Sequence, residues 1–278
     1  MTPRELIRQT AAAFRAAGVP DPEVDASLLL SHVTGLAPLL LRTDDWTALP
    51  CDVLSAFDTL AQRRLTREPL QYILHCQSFL GHDFYVDERV LIPRPETELL
   101  AERAIEALKE KGPGASALDL CCGSGCIAVS MALAVPDREV HACDLSNDAL
   151  EVTRHNAEAL NAQVTTHQGN LLQAVEGLAF DVIVSNPPYI PEEDCLSLQR
   201  EVRQEPLMAL DGGADGLDFY RRIAQEAPAH LHPGGVLLLE VGHDQAAAVG
   251  RLLENAGFHG LRAHEDYQHI QRIVEAHL

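Results

Sequence analysis

Apolar residues recur at helical spacing from the start of the chain. Leu6, Ile7, Ala11, Phe14 and Ala17 fall on one face of a helix, and Asp21 and Pro22 read as the cap and first turn of a second helix with an apolar stretch over 26–33. Gly35, Pro38 and Pro50 punctuate the next stretch, and a further helix is predicted over 52–67. Residues 1–74 therefore predict a small helical bundle. It holds no evident catalytic residue, and substrate docking is its expected role, with a mere cap as the alternative. Two β-rich pieces flank Gly81 and predict a hairpin linker over 75–93, closing on Ile92-Pro93-Arg94-Pro95 before a helix that starts near Glu96.

The period changes in the third region, 94–278. Short apolar runs at 117–120, 139–143, 164–167, 180–185 and 235–241 read as buried strands. Helical patterns at 126–134, 147–160, 218–230 and 245–256 alternate with them, and two β segments, 258–264 and 269–276, close the chain. Such alternation predicts an α/β fold with a mostly parallel sheet and helices on both faces.

The chemistry sits at strand ends. The run Asp181-Val182-Ile183-Val184-Ser185 stops in Asn186-Pro187-Pro188-Tyr189, and two prolines cannot continue a strand because neither donates a ladder hydrogen bond. Asn186 is thus predicted at the carboxyl edge of a sheet, where open α/β proteins bind ligands. An amide beside backbone carbonyls, with the flat face of Tyr189 nearby, suits a planar NH2 group. Earlier in the chain, Cys121-Cys122-Gly123-Ser124-Gly125 forms a strand-to-helix turn whose glycines allow close approach of a ligand. Asp144, nineteen positions past Gly125, ends the next strand where a carboxylate can hold ribose hydroxyls; it could equally cap the following helix with Ser146. These features fit NAD and S-adenosylmethionine alike. Asn186-Pro187-Pro188-Tyr189 has an evident use only in methyl transfer to an NH2 group.

Composition narrows the partners. The formal net charge is -20, from 21 Lys and Arg against 41 Asp and Glu, the opposite of the basic footprint of a nucleic-acid enzyme. The amino terminus lacks an apolar signal core and no apolar run is long enough for a membrane span, so a cytoplasmic protein is expected. Seven cysteines without such a signal predict free thiols, and the adjacent Cys121 and Cys122 lack the paired spacing of a zinc site. No heptad or exposed apolar stripe calls for more than a monomer.

With these motifs in place the chain resembles the release factor glutamine methyltransferases, the HemK or PrmC family within the class I S-adenosylmethionine-dependent methyltransferases. The likeness is carried by Asn186-Pro187-Pro188-Tyr189, by VLIPRPETE over 90–98, by Glu205-Pro206 and Ala209-Leu210, and by Gly212-Gly213-Ala214-Asp215-Gly216-Leu217. It implies a Rossmann-like seven-stranded sheet with an antiparallel strand near the carboxyl terminus. It further implies that Cys121, Cys122, Gly123, Ser124 and Gly125 line the methionine side of S-adenosylmethionine, that Asp144 holds its ribose, and that Asn170 and Leu171 lie by its adenine. Asn186, Pro187, Pro188 and Tyr189 would receive a glutamine side chain from the Gly-Gly-Gln loop of a class I peptide chain release factor, with Asn186 also beside the cofactor. The chain departs from the family where Cys121 and Cys122 replace a glycine and a threonine, and where Asn170 replaces an acid. An adenine-N6 methyltransferase on DNA or RNA uses the same acceptor chemistry, and a non-catalytic translation-factor adaptor is the other alternative.

Overall fold

The structure is a computed structural model that describes residues 1–43 and 48–278. Two compact units emerge: Met1–Cys76 with Gln199–Gln204, and Gln77–Leu198 with Glu205–Leu278.

The first unit is helical: α1 (Pro3–Ala16), α2 (Pro22–Thr34), α3 (Cys51–Leu65) and the short α4 (Leu70–Leu74), with a 3-10 turn at Leu40–Arg42. Helix α1 starts on a capping box, in which Thr2 Oγ1 accepts from the Glu5 amide and the Glu5 carboxylate accepts from the Thr2 amide. Pro22 occupies the first turn of α2, but Asp21 makes no side-chain capping bond; the helix stops at Gly35, whose φ of 69° suits glycine. Phe14, Leu29, Leu30 and Phe57 interdigitate at the centre, each fully buried. Each such side chain contributes about 1.5–3 kcal/mol.

The second unit opens on a hairpin, β1 (Gln77–Phe79) and β2 (His82–Phe84), paired antiparallel. Leu80 and Gly81 both adopt positive φ, as a two-residue type I′ turn requires. Helix α5 (Pro95–Glu110) comes next, and then strands alternate with helices: β3 (Ser116–Leu120), α6 (Cys126–Ala134), β4 (Glu139–Asp144), α7 (Asn147–Ala159), β5 (Thr165–Gln168), β6 (Phe180–Ser185), α8 (Glu192–Cys195), α9 (Asp218–Glu226), β7 (Leu231–Glu240), α10 (Ala246–Asn255), β8 (His259–Glu265) and β9 (Gln271–His277). The seven-stranded sheet runs in the order β5-β4-β3-β6-β7-β9-β8, and β9 is antiparallel to both its neighbours. This is the sheet the strand and helix alternation predicts. The central β3 and β6 are mostly apolar and buried because helices cover both faces, whereas edge strand β5 is largely open to solvent. Helix α9 ends earlier than its pattern suggests, since Pro228 lacks the amide that would continue it and the chain tightens to 3-10 over Ala227–Ala229. No helix among the described residues is long and apolar enough to cross a membrane.

Register places the chemistry. Leu120 pairs with both Cys143 and Ser185, and Ser185 pairs with Leu239. The next residue on each strand is Cys121, Asp144, Asn186 or Glu240. These four form one row along the carboxyl edge of the sheet.

Candidate active site

The strand-to-helix turn is shaped from behind. Thr153 Oγ1 on α7 donates to the Gly123 carbonyl at 2.9 Å, and Asn156 Nδ2 donates to the Ser124 carbonyl at 2.9 Å. Gly125 is needed twice: its φ is 77°, and a Cβ there would lie 2.6 Å from the Thr153 methyl. Because Gly125 has no side chain with which to cap α6, Asp119 does so from β3, its Oδ2 accepting from the Ala128 amide at 3.0 Å. Burial pushes that carboxyl up to about 8.

Cys121 stands at φ 63°, the left-handed region in which glycine, the residue the resemblance places here, is at ease. Holding a side chain there has a conformational cost of about 1–2 kcal/mol. Burial holds the thiols of Cys121, Cys122, Cys126 and Cys143 above their ordinary value and hence protonated. We expect Cys121→Gly to melt at or above the parent temperature, and Cys121→Val, β-branched at the same φ, to lose about 2 kcal/mol. Thermal denaturation of both variants checks this; a valine variant as stable as the parent would contradict it.

A cavity of about 400 Å3 opens along the strand-end row. Of the residues singled out in the sequence, Cys121, Gly123, Asp144, Asn170, Leu171, Asn186 and Pro188 line it. Cys122 instead turns inward, its Sγ 3.5 Å from Thr153 Oγ1, and Ser124 and Gly125 are buried beneath the turn. Pro187 is buried, and Tyr189 faces a second cavity with Gln245 and Arg272.

Asp144 is not the cap of α7. Ser146 caps that helix, accepting from the Ala149 amide, while Asp144 Oδ1 and Oδ2 accept from the amides of Ser146 and Gly123. The Leu145 amide acts on the carboxylate as well, so of its roughly four acceptor positions one is left for a ribose hydroxyl at the cavity. Leu145, 56% exposed, lies on the same cavity beside buried Leu171. An apolar side chain left open at the lip fits a planar ring, a residue the motif reading overlooked. The donor set thus fits an adenosyl group, with Asp144 for the ribose and Leu145, Asn170 and Leu171 for the base.

The Asn186 loop is pinned on both sides. Gln245 Nε2 donates to the carbonyls of Tyr189 at 2.9 Å and Gly216 at 3.2 Å. A Cβ on Gly212 would lie 2.8 Å from the Tyr189 Cα, and one on Gly216 would lie 2.3 Å from the Tyr189 carbonyl oxygen. The Gly-Gly-Ala-Asp-Gly-Leu segment is therefore glycine-rich because backbone packs on backbone there. Glu205, 5% exposed, accepts from the Ile92 amide and from Arg94, tying the segment before α5 to the loop that carries Leu207 and Met208. The Asn186 side chain itself donates from Nδ2 to Thr97 Oγ1 at 3.2 Å. Burial, then the Glu240 charge, push Tyr189 up to about 12, so its phenol stays neutral.

Known proteins share these segments. Residues 5–74 match the PrmC N-terminal domain and residues 96–205 the methyltransferase small domain. The release factor glutamine methyltransferase of Geobacter sulfurreducens is 42% identical over 274 residues, covering 98% of this chain and 95% of that protein. Its namesake from Deinococcus radiodurans is 40% identical over 275 residues, covering 98% and 97%. The ribosomal protein uL3 glutamine methyltransferase of Bordetella pertussis is 40% identical over 254 residues, covering 88% and 85%. Among solved structures, a methyltransferase from Pyrococcus furiosus aligns with a TM-score of 0.52 at 20% identity, over 78% of this chain and 96% of its own. A 16S rRNA methyltransferase of T. thermophilus, solved with AdoMet and guanosine, aligns with a TM-score of 0.53 at 21% identity, over 73% and 49%. The fold is thus that of the class I methyltransferases, with S-adenosylmethionine as methyl donor. From its near full-length identity to named relatives, the chain belongs to the release factor glutamine methyltransferase family.

Proposed function

We propose that this enzyme methylates the side-chain nitrogen N5 of the glutamine in the Gly-Gly-Gln motif of class I peptide chain release factors. The observation that carries the reading is the Asn186 carboxamide on the cavity wall, with its nitrogen already committed to Thr97. Its oxygen is left as an acceptor for an incoming NH2 group.

An amide nitrogen is a poor nucleophile because its lone pair is delocalised into the carbonyl. Asn186 Oδ1 and the Pro187 carbonyl would take its two N–H bonds and hold the nitrogen lone pair toward the cofactor, while Tyr189, which lines the second cavity, would support the loop from behind. When bound, S-adenosylmethionine supplies an electrophilic methyl group on a sulfonium. Holding reactants in line for attack can supply about 7–11 kcal/mol. The amide proton leaves to water after transfer, since positioning, and no strong base at Asn186, is what these residues provide. Exposed Leu207 and Met208 at the cavity rim suit an apolar peptide loop, and the net charge of -20 suits a protein over a nucleic acid.

A second reading rests on the relative named for ribosomal protein uL3, whose identity to this chain is nearly that of the release-factor relatives. Incubation with methyl-labelled cofactor and, in parallel, a release factor, ribosomal protein uL3 and DNA separates the readings. We expect label on the Gln of the Gly-Gly-Gln motif. Label confined to uL3 or to adenine overturns the proposal in favour of that substrate, and a protein that shows no heat on titration with S-adenosylmethionine overturns it in favour of an adaptor.

A further inference from the structure

Beside Asn186 lies a carboxylate with no part in the methyl transfer itself. Glu240 is the last residue of β7, next to Asn186 in the strand-end row, and is 3% exposed. Its Oε2 has no hydrogen-bond partner. The Thr97 hydroxyl and the Asn186 amide lie close enough to favour its charged form, although neither closes a hydrogen bond on it among the described residues; what orients them is the field of a buried, unpartnered charge beside them. Thr97 sits in the first turn of α5 and is itself buried.

These contacts have only one consistent sense. An ionised carboxylate accepts and never donates, so the hydroxyl and the amide must both present hydrogens to it. Thr97 has a single hydroxyl proton. Once that proton points at Glu240, Thr97 can only accept from Asn186, which forces the Asn186 nitrogen to face Thr97, as it does at 3.2 Å. The Asn186 oxygen is then turned to the cavity. A neutral amide has no such preference of its own, since its two ends are nearly equal in shape.

We propose that Glu240, acting with Thr97, is a positioning residue that sets which end of the Asn186 carboxamide faces the substrate amide. The inference rests on the reading of Asn186 as the acceptor for a glutamine NH2 group. Its consequence is a pH switch. Burial raises the Glu240 carboxyl to about 7, against the pull of Thr97, Asn186 and Arg272 and with the push of Glu96. The groups around it are Glu96 and Thr97 on α5, Asn186 and Tyr189 after β6, Tyr220 on α9, Arg272 on β9 and Cys126 at the start of α6. Of these, Tyr189, Tyr220 and Cys126 are all held above their ordinary values and neutral near pH 7. Protonated Glu240 can donate, and the amide orientation is lost.

The test compares the parent with Thr97→Val, Thr97→Ser and Glu240→Gln. We expect Thr97→Val to lower kcat at least about tenfold with unchanged calorimetric affinity for S-adenosylmethionine, and Thr97→Ser to restore most of it. The parent kcat should rise with pH through about 7, and Glu240→Gln should flatten that limb. A carboxyl whose folded value is raised loses stability as pH rises from the unfolded value of about 4.5 to the folded one, so the parent melting temperature should fall over that window relative to Glu240→Gln. The side-chain 15N signal of Asn186, assigned through its alanine variant, should titrate near pH 7 in the parent and stay fixed in Glu240→Gln; this readout needs no substrate, so it judges the relay even if no glutamine protein is methylated. A valine variant with parental kcat, or an Asn186 signal that does not titrate, overturns the inference.

Discussion

Replacing Asn186 with alanine is expected to lower methyl transfer to the glutamine substrate by about 10²–10³-fold, the usual loss when one hydrogen-bonding group aimed at a reacting centre is removed. The side chain sits at the carboxyl end of β6, where Ser185 Oγ donates to the Leu120 carbonyl at 2.6 Å and the two prolines after Asn186 fix the exit of the chain. Alanine leaves that backbone intact and deletes the acceptor together with the bond to Thr97. Because Asp144, Leu145 and Leu171 lie elsewhere on the cavity wall, calorimetric affinity for S-adenosylmethionine should stay close to the parent value. Asn186→Asp should be as damaging at neutral pH, for a different reason. It keeps an acceptor but cannot donate to Thr97, and it sets a second carboxylate against Glu240. Single-turnover kinetics at saturating cofactor measure both variants, and retention of more than about a tenth of the parent rate in either would remove Asn186 from its assigned role.

Strand β6 was legible because its mostly apolar run is short and ends in residues that cannot continue it: it runs over Phe180–Ser185, as its pattern predicts, because Pro187 and Pro188 stop it. Strand β7 was less legible. It begins at Leu231, through His232, Pro233 and two glycines that carry no apolar signal, and its register against β6 shifts between Phe180 and Val182. At the site, the spacing from Gly125 to Asp144 is local and readable, since both residues belong to one strand-helix-strand unit. The inward turn of Cys122 was not, because it depends on Thr153, which arrives from the next helix. Thr97 and Glu240 were visible only as letters in a family signature and at the end of an apolar run. Their meaning appears when α5 and β7 pack on either side of Asn186, and no spacing along the chain reports that. Tyr189 is the reverse case: its place in the motif is plain, yet Gln245, which bonds the Tyr189 and Gly216 carbonyls, holds the loop so that Tyr189 lines a second cavity.

Arg64→Ala is expected to cost about 3–5 kcal/mol in the helical unit, the largest stability loss of any single change considered. Arg64 is 3% exposed, and its guanidinium has three partners: Asp25 Oδ2 at 2.7 Å, Glu201 Oε1 at 3.0 Å and the Glu68 carbonyl at 3.0 Å. Arg67 also grips Glu201, through two bonds of 2.6 Å, so Glu201 keeps a partner when Arg64 is lost. Asp25 does not. At 7% exposure, its carboxyl is already raised by burial against the pull of Arg64, and without Arg64 that pull disappears. A carboxyl with a raised folded value weakens the fold as pH climbs through that value, so the alanine variant's deficit should be larger at neutral pH than in acid below the raised value, where Asp25 accepts a proton. Removing the stranded charge should then recover stability. The double variant Arg64→Leu with Asp25→Leu, which fills the space with apolar atoms, is expected within about 1–2 kcal/mol of the parent, because much of the cost of breaking a buried pair is the charge left behind. Urea denaturation followed by far-ultraviolet circular dichroism at the two pH values measures all three proteins. A single variant as stable as the parent, or a double variant no better than the single, would show that the Asp25 and Arg64 charges are solvated in the native state and do not act as a buried pair.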